Sequence, residues 1–199
     1  LTETLLKKAA ETAKHWPSDL FLSFNLSSAQ LIDPATAFNV LAIVNRVGLD
    51  PRRLELEITE TAMMSDPEVA AKVVNELHAI GIKVSLDDFG TGQSSLGRLR
   101  NFAFNKVKID RSFISEITLD KSAEHIVRAI LMMCEGLNLK VIAEGIETEE
   151  QAEKLSALGC KSGQGWLYGK AVEASWTFEL IEAQRNSPSV RSPVRVFSR

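Results

Sequence analysis

The chain has 199 residues, of which 26 are acidic and 23 basic, so its formal net charge at pH 7 is −3. A composition of 45% hydrophobic and 25% charged residues is that of a globular domain and excludes a disordered or fibrous chain. The slight acidity argues against general binding to nucleic acid polymers or acidic membranes, and no apolar run reaches the roughly 18 residues of a membrane-spanning helix. We expect a cytoplasmic location, either free or as the cytoplasmic part of a larger membrane-anchored protein.

The predicted elements alternate between helices and strands. Amphipathic periodicity predicts helices at residues 2–15, 29–47 (with a break at Asp33-Pro34), 66–81, 94–99, 122–134, 148–159 and 175–185. Six strands are predicted, at residues 21–26, 54–58, 82–86, 107–109, 141–143 and 162–168. Asp66-Pro67, Ser122 and the capping box that begins at Thr148 mark three helix starts. Repeated strand–helix units predict an α/β fold in which helices pack on a parallel sheet.

The end of the chain has a different composition. Residues 186–199 contain Ser, Pro and Arg but no acidic residue. We predict one domain over residues 1–185 and a tail or linker over residues 186–199, with a basic docking tail as the functional alternative.

Polar side chains recur on one face of successive predicted strands. In the second strand, Leu54, Leu56 and Ile58 share one face, and Glu55 and Glu57 share the other. Such a face cannot meet bulk water if helices cover the sheet, so it is expected to line the interior of a barrel near its mouth, where barrel enzymes build their sites. The candidate residues at the carboxyl ends of the strands are Asn25, Glu57, Glu60, Asp87, Asp88, Lys108, Asp110, Glu144, Glu147 and Gln164.

Seven of these ten residues are carboxylates and one is a cation. Crowding so many acids is costly unless some are protonated or divalent cations lie among them. Oxygen ligands without His or Cys favour Mg²⁺ or Mn²⁺, and sometimes Ca²⁺. Taken singly, the residues have plainer explanations: a turn at Asp87-Asp88, a solvated strand end at Glu57, or a structural ion pair between Lys108 and Asp110.

Together, these residues occur in motifs that resemble the EAL domain, a bacterial phosphodiesterase domain that hydrolyses cyclic di-GMP. The resemblance covers roughly residues 1–183. The matching segments, in order, are NLS at 25–27, EITE at 57–60, DDFGTGQSSL at 87–96, KIDRSF at 108–113, AEGIET at 143–148 and QGW at 164–166. The resemblance implies a modified TIM-type (β/α) barrel and hydrolysis of cyclic di-GMP to linear pGpG in second-messenger signalling.

The resemblance also implies a two-metal site. Asn25, Glu57 and Asp87 are expected to bind one ion, and Asp87, Asp88 and Glu144 the second. We expect Mg²⁺ or Mn²⁺ to support the reaction and Ca²⁺ to inhibit it.

The other roles follow in the same way. Glu144 is the expected general base, and Lys108 is expected to position the attacking water. Glu60 matches a glutamate that holds the loop from residue 87 to 95 in shape, and that loop follows the third strand. The expected substrate-binding residues are Glu147, Gln164 and Asp110.

The sequence also departs from the family pattern. No Glu-Ala-Leu string occurs in it, although in the family that glutamate binds a metal on an early strand. We therefore expect two N-terminal strands of the barrel to be absent from this chain. A second departure is Asn105, which stands where the family usually has Asp.

The family also implies a homodimer and an upstream sensory or GGDEF (diguanylate cyclase) domain as possible partners.

Two other functions stay open at this point. The absent glutamate favours a catalytically inactive module that binds cyclic di-GMP or a protein partner. An unrelated barrel lyase or aldolase would use Lys108 as a Schiff-base nucleophile, although the surrounding acids disfavour a neutral amine.

Overall fold

A computed structural model describes residues 2–91 and 102–186 of the chain. Its centre is a parallel sheet of five strands, in which each strand pairs with the next one along the chain. The strands are β1 (Leu22–Asn25), β2 (Leu54–Thr59), β3 (Lys83–Phe89), β4 (Lys106–Ile109) and β5 (Lys140–Ala143).

Helices connect the strands, as parallel pairing requires. They are α1 (Thr2–Ala13), α2 (Ser28–Leu31), α3 (Thr36–Val47), α4 (Glu60–Ser65), α5 (Pro67–Ala79), α6 (Arg111–Glu116), α7 (Lys121–Gly136), α8 (Glu149–Ala157) and α9 (Ala174–Asn186). A 3₁₀ turn at Pro51–Arg53 precedes β2.

The sheet has one apolar and one polar face, as the alternation in the sequence predicts. Leu54, Leu56 and Ile58 of β2 are completely buried on the apolar face and belong to the hydrophobic core. Glu55 and Glu57 are also buried, although they belong to the polar face. Their burial is compatible with their charge because inward lysines from β4 pair with them: Lys106 with Glu55 and Lys108 with Glu57.

Two polar side chains secure the starts of strands. The Arg53 guanidinium, at the start of β2, donates hydrogen bonds of 2.9–3.2 Å to four backbone carbonyls between residues 13 and 20, which ties the end of α1 to the sheet. The Asn105 Oδ1 accepts a 2.9 Å hydrogen bond from the Val84 N–H, while its own N–H donates to the Val84 carbonyl. Asn105 therefore extends the ladder between β3 and β4 by one residue before the start of β4.

The predicted helix starts are partly confirmed. The Asp66 side chain caps α5 with Pro67 in the first turn, and Thr148 forms a capping box with Gln151. The start at Ser122 is wrong: the Asp120 carboxylate caps α7 and accepts from the Ser122 N–H. Aspartate is as strong a helix cap as serine, and the observed cap lies two residues before the predicted one.

The predicted strand at 162–168 is wrong except for one bridge, between Gly163 and Ala143. The chain turns here because Gly165 approaches the backbone of Ile146 so closely that a Cβ atom would lie 2.1 Å from its carbonyl oxygen. The described residues therefore contain five strands rather than six. The sequence prediction also missed the short helices α4 and α6. The predicted helix at 94–99 lies outside the described residues, as does most of the predicted tail.

The α/β fold class of a TIM-type barrel is confirmed, with an arc of parallel strands in place of a closed barrel. Within residues 2–91 and 102–186, the outer edges of β1 and β5 do not pair with each other. None of the helices in these two ranges combines the length and hydropathy needed to cross a membrane.

Candidate active site

The carboxyl ends of the strands open into a cavity of about 680 Å³. It is lined by residues from the ends of β1 to β4 and from the segments that follow β5. Nine of the ten candidate residues line it: Asn25, Glu57, Asp87, Asp88, Lys108, Asp110, Glu144, Glu147 and Gln164. The structure therefore brings nine of the ten candidate residues together around one cavity.

Lys108 lies at the floor of the cavity among three carboxylates. Its Nζ atom is 2.6 Å from Glu144 Oε1, 2.7 Å from Glu57 Oε2 and 3.1 Å from Asp87 Oδ1. Burial of the side chain, which is only 2% exposed, disfavours the ammonium. The carboxylates of Glu57, Glu144 and Asp87 outweigh that effect and raise the pKa of Lys108. Lys108 is therefore a cation at neutral pH.

Glu57 is held through both carboxylate oxygens. Its Oε2 accepts from Lys108, and its Oε1 accepts a 2.5 Å hydrogen bond from the Ser23 hydroxyl. β1 supplies this second donor because Ser23 and Asn25 both face inward in the register with β2. Asn25 is exposed at the cavity wall, two residues further along β1, where its direct partner in the register is Glu57.

Asp87, Asp88 and Glu144 form a cluster whose ligand oxygens all lie within 4.8 Å of one another. Burial raises the pKa of Asp88, and the Asp87 and Asp110 carboxylates add to the shift. Burial likewise raises the pKa of Glu144 to about 7, with Lys108 opposing the shift and Asp87 supporting it. Both shifts come first from burial, which disfavours the charged form of a carboxylate, and the Lys108 cation only partly opposes them.

The backbone and Gln164 fix this cluster. Asp88 has a φ of +54°, and its carbonyl accepts a 2.9 Å hydrogen bond from the Thr91 hydroxyl. Gln164 Nε2 donates a 2.9 Å hydrogen bond to Glu144 Oε1. The bridge at Gly163 positions Gln164, whose N–H donates to the Ala143 carbonyl.

The donor set fits a hard divalent cation. The three clustered carboxylates, the nearby Glu57 and the amide of Asn25 offer only oxygen or amide donors, which suit Mg²⁺ or Mn²⁺. A divalent cation there would lie among carboxylates whose charged forms burial disfavours, and it would stabilise those charged forms.

The rim of the cavity combines an aromatic ring with basic side chains. Trp166 is 60% exposed, and the Arg111 guanidinium and the Lys170 ammonium each lie 5.5 Å from its ring centroid. Glu147 holds Arg111 at 2.6 Å. Arg111 and Trp166 stand inside the KIDRSF and QGW motifs, but the sequence analysis assigned them no role.

The remaining candidates have other surroundings. Asp110 lines the cavity and also caps α6 by accepting from the Ser112 N–H at 2.9 Å. Glu60 is buried in the first turn of α4 and is absent from the cavity lining. The loop that Glu60 is expected to hold runs from residue 87 to 95, and residues 92–95 of it lie outside the described residues. Thr177 and Val172 line the cavity from the C-terminal region, where the sequence carried no signal for them.

A family model described as EAL domain matches residues 1–171. The chain belongs to the EAL domain family. This finding confirms the resemblance that the six motifs carried.

Curated relatives of this EAL domain are much longer proteins. An uncharacterized signaling protein of Caulobacter vibrioides is 42% identical over 170 residues, which is 85% of this chain and 21% of the relative. The bifunctional diguanylate cyclase/cyclic di-GMP phosphodiesterase MucR of Pseudomonas aeruginosa is 39% identical over 176 residues, 86% of this chain and 26% of MucR. The chain spans about a fifth to a third of the length of the curated relatives that it matches.

Solved EAL structures have the same fold. The MucR phosphodiesterase in complex with cyclic di-GMP superposes with a TM-score of 0.83 at 38% identity, covering 87% of this chain and 72% of that one. BlrP1 of Klebsiella pneumoniae, in a calcium and cyclic di-GMP complex, gives a TM-score of 0.78 at 30% identity, covering 83% of this chain and 43% of BlrP1. A manganese complex of BlrP1 with the same dinucleotide superposes equally well, with a TM-score of 0.78.

Proposed function

We propose that this EAL domain hydrolyses one phosphodiester of cyclic di-GMP, in the presence of divalent cations, to give linear pGpG. The observation that carries the proposal is the position of Lys108, a buried cation among Glu57, Asp87 and Glu144 at the floor of the cavity. The complexes of MucR and BlrP1 with cyclic di-GMP support the choice of substrate.

The charge of the cavity supports a requirement for metal ions. Six carboxylates line it, against the two basic side chains of Lys108 and Arg111, so it would repel a substrate with two phosphodiester anions. Bound divalent ions supply charge neutralisation at the phosphoryl oxygens and make the attacking water more acidic. The residues proposed to hold the ions, which we take to be Mg²⁺ or Mn²⁺, are Asn25, Glu57, Asp87, Asp88 and Glu144.

We assign to Glu144 the role of general base. Its carboxylate lines the cavity beside Lys108 and within reach of the proposed metal ligands, where it can accept a proton from an attacking water. Lys108 and Gln164 both contact its Oε1 atom, so the water proton is assigned to Oε2. This role requires the Glu144 side chain to keep its orientation, which the two contacts provide.

Lys108 acts as a fixed ammonium. Its N–H groups face the carboxylates of Glu57, Asp87 and Glu144, and an N–H that Lys108 gives up from one of these contacts would orient the attacking water. The raised pKa of Lys108 argues against the lyase or aldolase alternative, because a Schiff base forms only from a neutral amine.

The rim is proposed to bind the substrate outside the reacting phosphodiester. Arg111 offers a planar cation to the second phosphate, and the Trp166 ring offers a stacking surface for a guanine base. Glu147, Gln164 and Asp110 are retained as substrate-binding residues, the first because it orients Arg111.

The experiment incubates the purified chain with cyclic di-GMP and Mn²⁺, Mg²⁺, Ca²⁺ or a chelator, and separates the nucleotides by chromatography. We expect pGpG with Mn²⁺ or Mg²⁺ and none with chelator or with Ca²⁺. Glu144→Gln should abolish the product, while Glu150→Gln, a change on the exposed surface of α8, should leave it unchanged.

A folded, metal-loaded protein that forms no pGpG would refute the hydrolytic function. In that case, binding of cyclic di-GMP measured by calorimetry in Ca²⁺ would favour the alternative of an inactive binding module. Absence of binding at high micromolar concentrations would exclude both functions.

The setting of the domain is also proposed. We retain residues 1–185 as the domain and residues 186–199 as a tail or linker. MucR is described as both a diguanylate cyclase and a phosphodiesterase, which supports an upstream GGDEF domain in the whole protein. We also propose that the whole protein is a cytoplasmic homodimer. Sedimentation of the full-length protein tests the dimer.

A further inference from the structure

Ser23 is a buried serine whose hydroxyl contacts Glu57, one of the residues that line the cavity. It faces inward from β1 and is 8% exposed. In the register between β1 and β2 its direct partner is Glu55, yet its hydroxyl reaches along the sheet to Glu57 Oε1 at 2.5 Å. Glu55 pairs instead with Lys106, at 2.6 Å.

The two donors to Glu57 differ in charge. Lys108 contacts Oε2 at 2.7 Å and is a cation, whereas the Ser23 hydroxyl contacts Oε1 and is neutral. Each carboxylate oxygen has two lone pairs, so both oxygens keep one position for a further ligand. Ser23 therefore fixes the direction of Glu57 without neutralising the charge that would attract a cation.

A buried serine on the inner face of this sheet does not necessarily form a side-chain hydrogen bond. Ser85, on β3, flanks Glu57 from the opposite side in the strand register and is completely buried. Within the part of the chain that the structure describes, its hydroxyl makes no hydrogen bond. The contact between Ser23 and Glu57 is thus specific to Ser23, and Ser85 provides a matched comparison.

We infer that Ser23 is a positioning residue that orients Glu57 for binding of a divalent cation. This inference rests on the proposed function, because it takes Glu57 as a metal ligand. Groups that orient metal ligands commonly contribute about 10- to 100-fold in metal affinity when they are removed.

The test measures Mn²⁺ binding to the 199-residue chain by calorimetry, without substrate. We expect Ser23→Ala to weaken Mn²⁺ binding by about tenfold or more. Ser23→Thr keeps the hydroxyl and should bind Mn²⁺ with the affinity of the unmodified chain. Ser23→Cys keeps the size of the side chain with a weak donor and should behave like the alanine variant. Ser85→Ala should bind Mn²⁺ as the unmodified chain does.

Thermal unfolding of each variant is measured in chelator to show that it folds. If Ser23→Ala does not fold, Ser23→Cys is used in its place. The inference is overturned if folded Ser23→Ala or Ser23→Cys binds Mn²⁺ with unchanged affinity, or if Ser85→Ala loses as much. Failure of the unmodified chain to bind Mn²⁺ refutes the metal site and this inference together. Mn²⁺ binding without pGpG formation refutes only the hydrolysis.

Discussion

Replacing Lys108 with methionine is expected to destabilise the metal-free protein strongly. The ammonium lies 2.6–3.1 Å from three carboxylates and is only 2% exposed. At an effective dielectric constant of about 20, one unit-charge pair at such a distance is worth ~6 kcal/mol. Desolvation of the ammonium offsets much of this energy, so removing the cation should cost about 3–5 kcal/mol.

The assay is urea unfolding in chelator, followed by circular dichroism, with Lys106→Met as the matched control. Lys106 faces inward on the same strand but pairs with a single carboxylate, that of Glu55, so its replacement should cost less. Mn²⁺ should stabilise Lys108→Met more than the unmodified chain, because a bound cation replaces the lost charge. At low pH the loss should shrink as the carboxylates become protonated.

Equal stability of Lys108→Met and the unmodified chain in chelator at pH 8 would refute this reasoning. So would an equal loss for the two lysine variants with no difference in their response to Mn²⁺. Either result would mean that the three carboxylates do not depend on Lys108 for their charge balance.

Four further outcomes are expected. Arg53→Met should lower the free energy of unfolding by about 2–4 kcal/mol in urea, because its guanidinium serves four carbonyls, whereas the exposed Arg52→Met should change it little. Asn105→Asp should retain thermal stability and Asn105→Leu should lower it, since only the former keeps the accepting oxygen; equal melting temperatures would contradict this. Trp166→Ala should raise the KM for cyclic di-GMP about tenfold or more with a smaller change in kcat, and an unchanged KM would exclude stacking. In chelator, the contribution of Glu144 to stability should fall by about 2–3 kcal/mol as the pH rises from 4.5, its ordinary pKa, to its raised value of about 7, so Glu144→Gln should make unfolding curves less dependent on pH over this range; an unchanged dependence would contradict this.

The period-two pattern of the strands made the inner face of the sheet predictable. The alternation of Glu55 and Glu57 with leucines required two different environments, and the structure provides a helix-covered face and an ionic one. The carboxyl ends of parallel strands meet at one edge, so the cavity followed from the same pattern.

Features that depend on distant contacts were not predictable in this way. The segment after residue 162 looks like a strand in sequence, but the close approach of Gly165 to Ile146 turns it. Thr177 reaches the cavity from a helix more than a hundred residues beyond β2, where no local pattern marks it. The bond from Ser23 to Glu57 required the strand register, since the direct neighbour of Ser23 is Glu55.

The left-handed backbone at Asp88 changes how many ligands one strand can offer. A regular strand presents only every second side chain to one face, so consecutive aspartates would point to opposite sides of the sheet. The φ of +54° at Asp88, with the register irregularity between Leu86 and Phe89, breaks the alternation and brings the Asp87 and Asp88 carboxylates together. Such a conformation costs about 1–2 kcal/mol for most residues but less for Asp or Asn. Asp88→Asn therefore separates the charge of this residue from its conformation, whereas Asp88→Ala alters both.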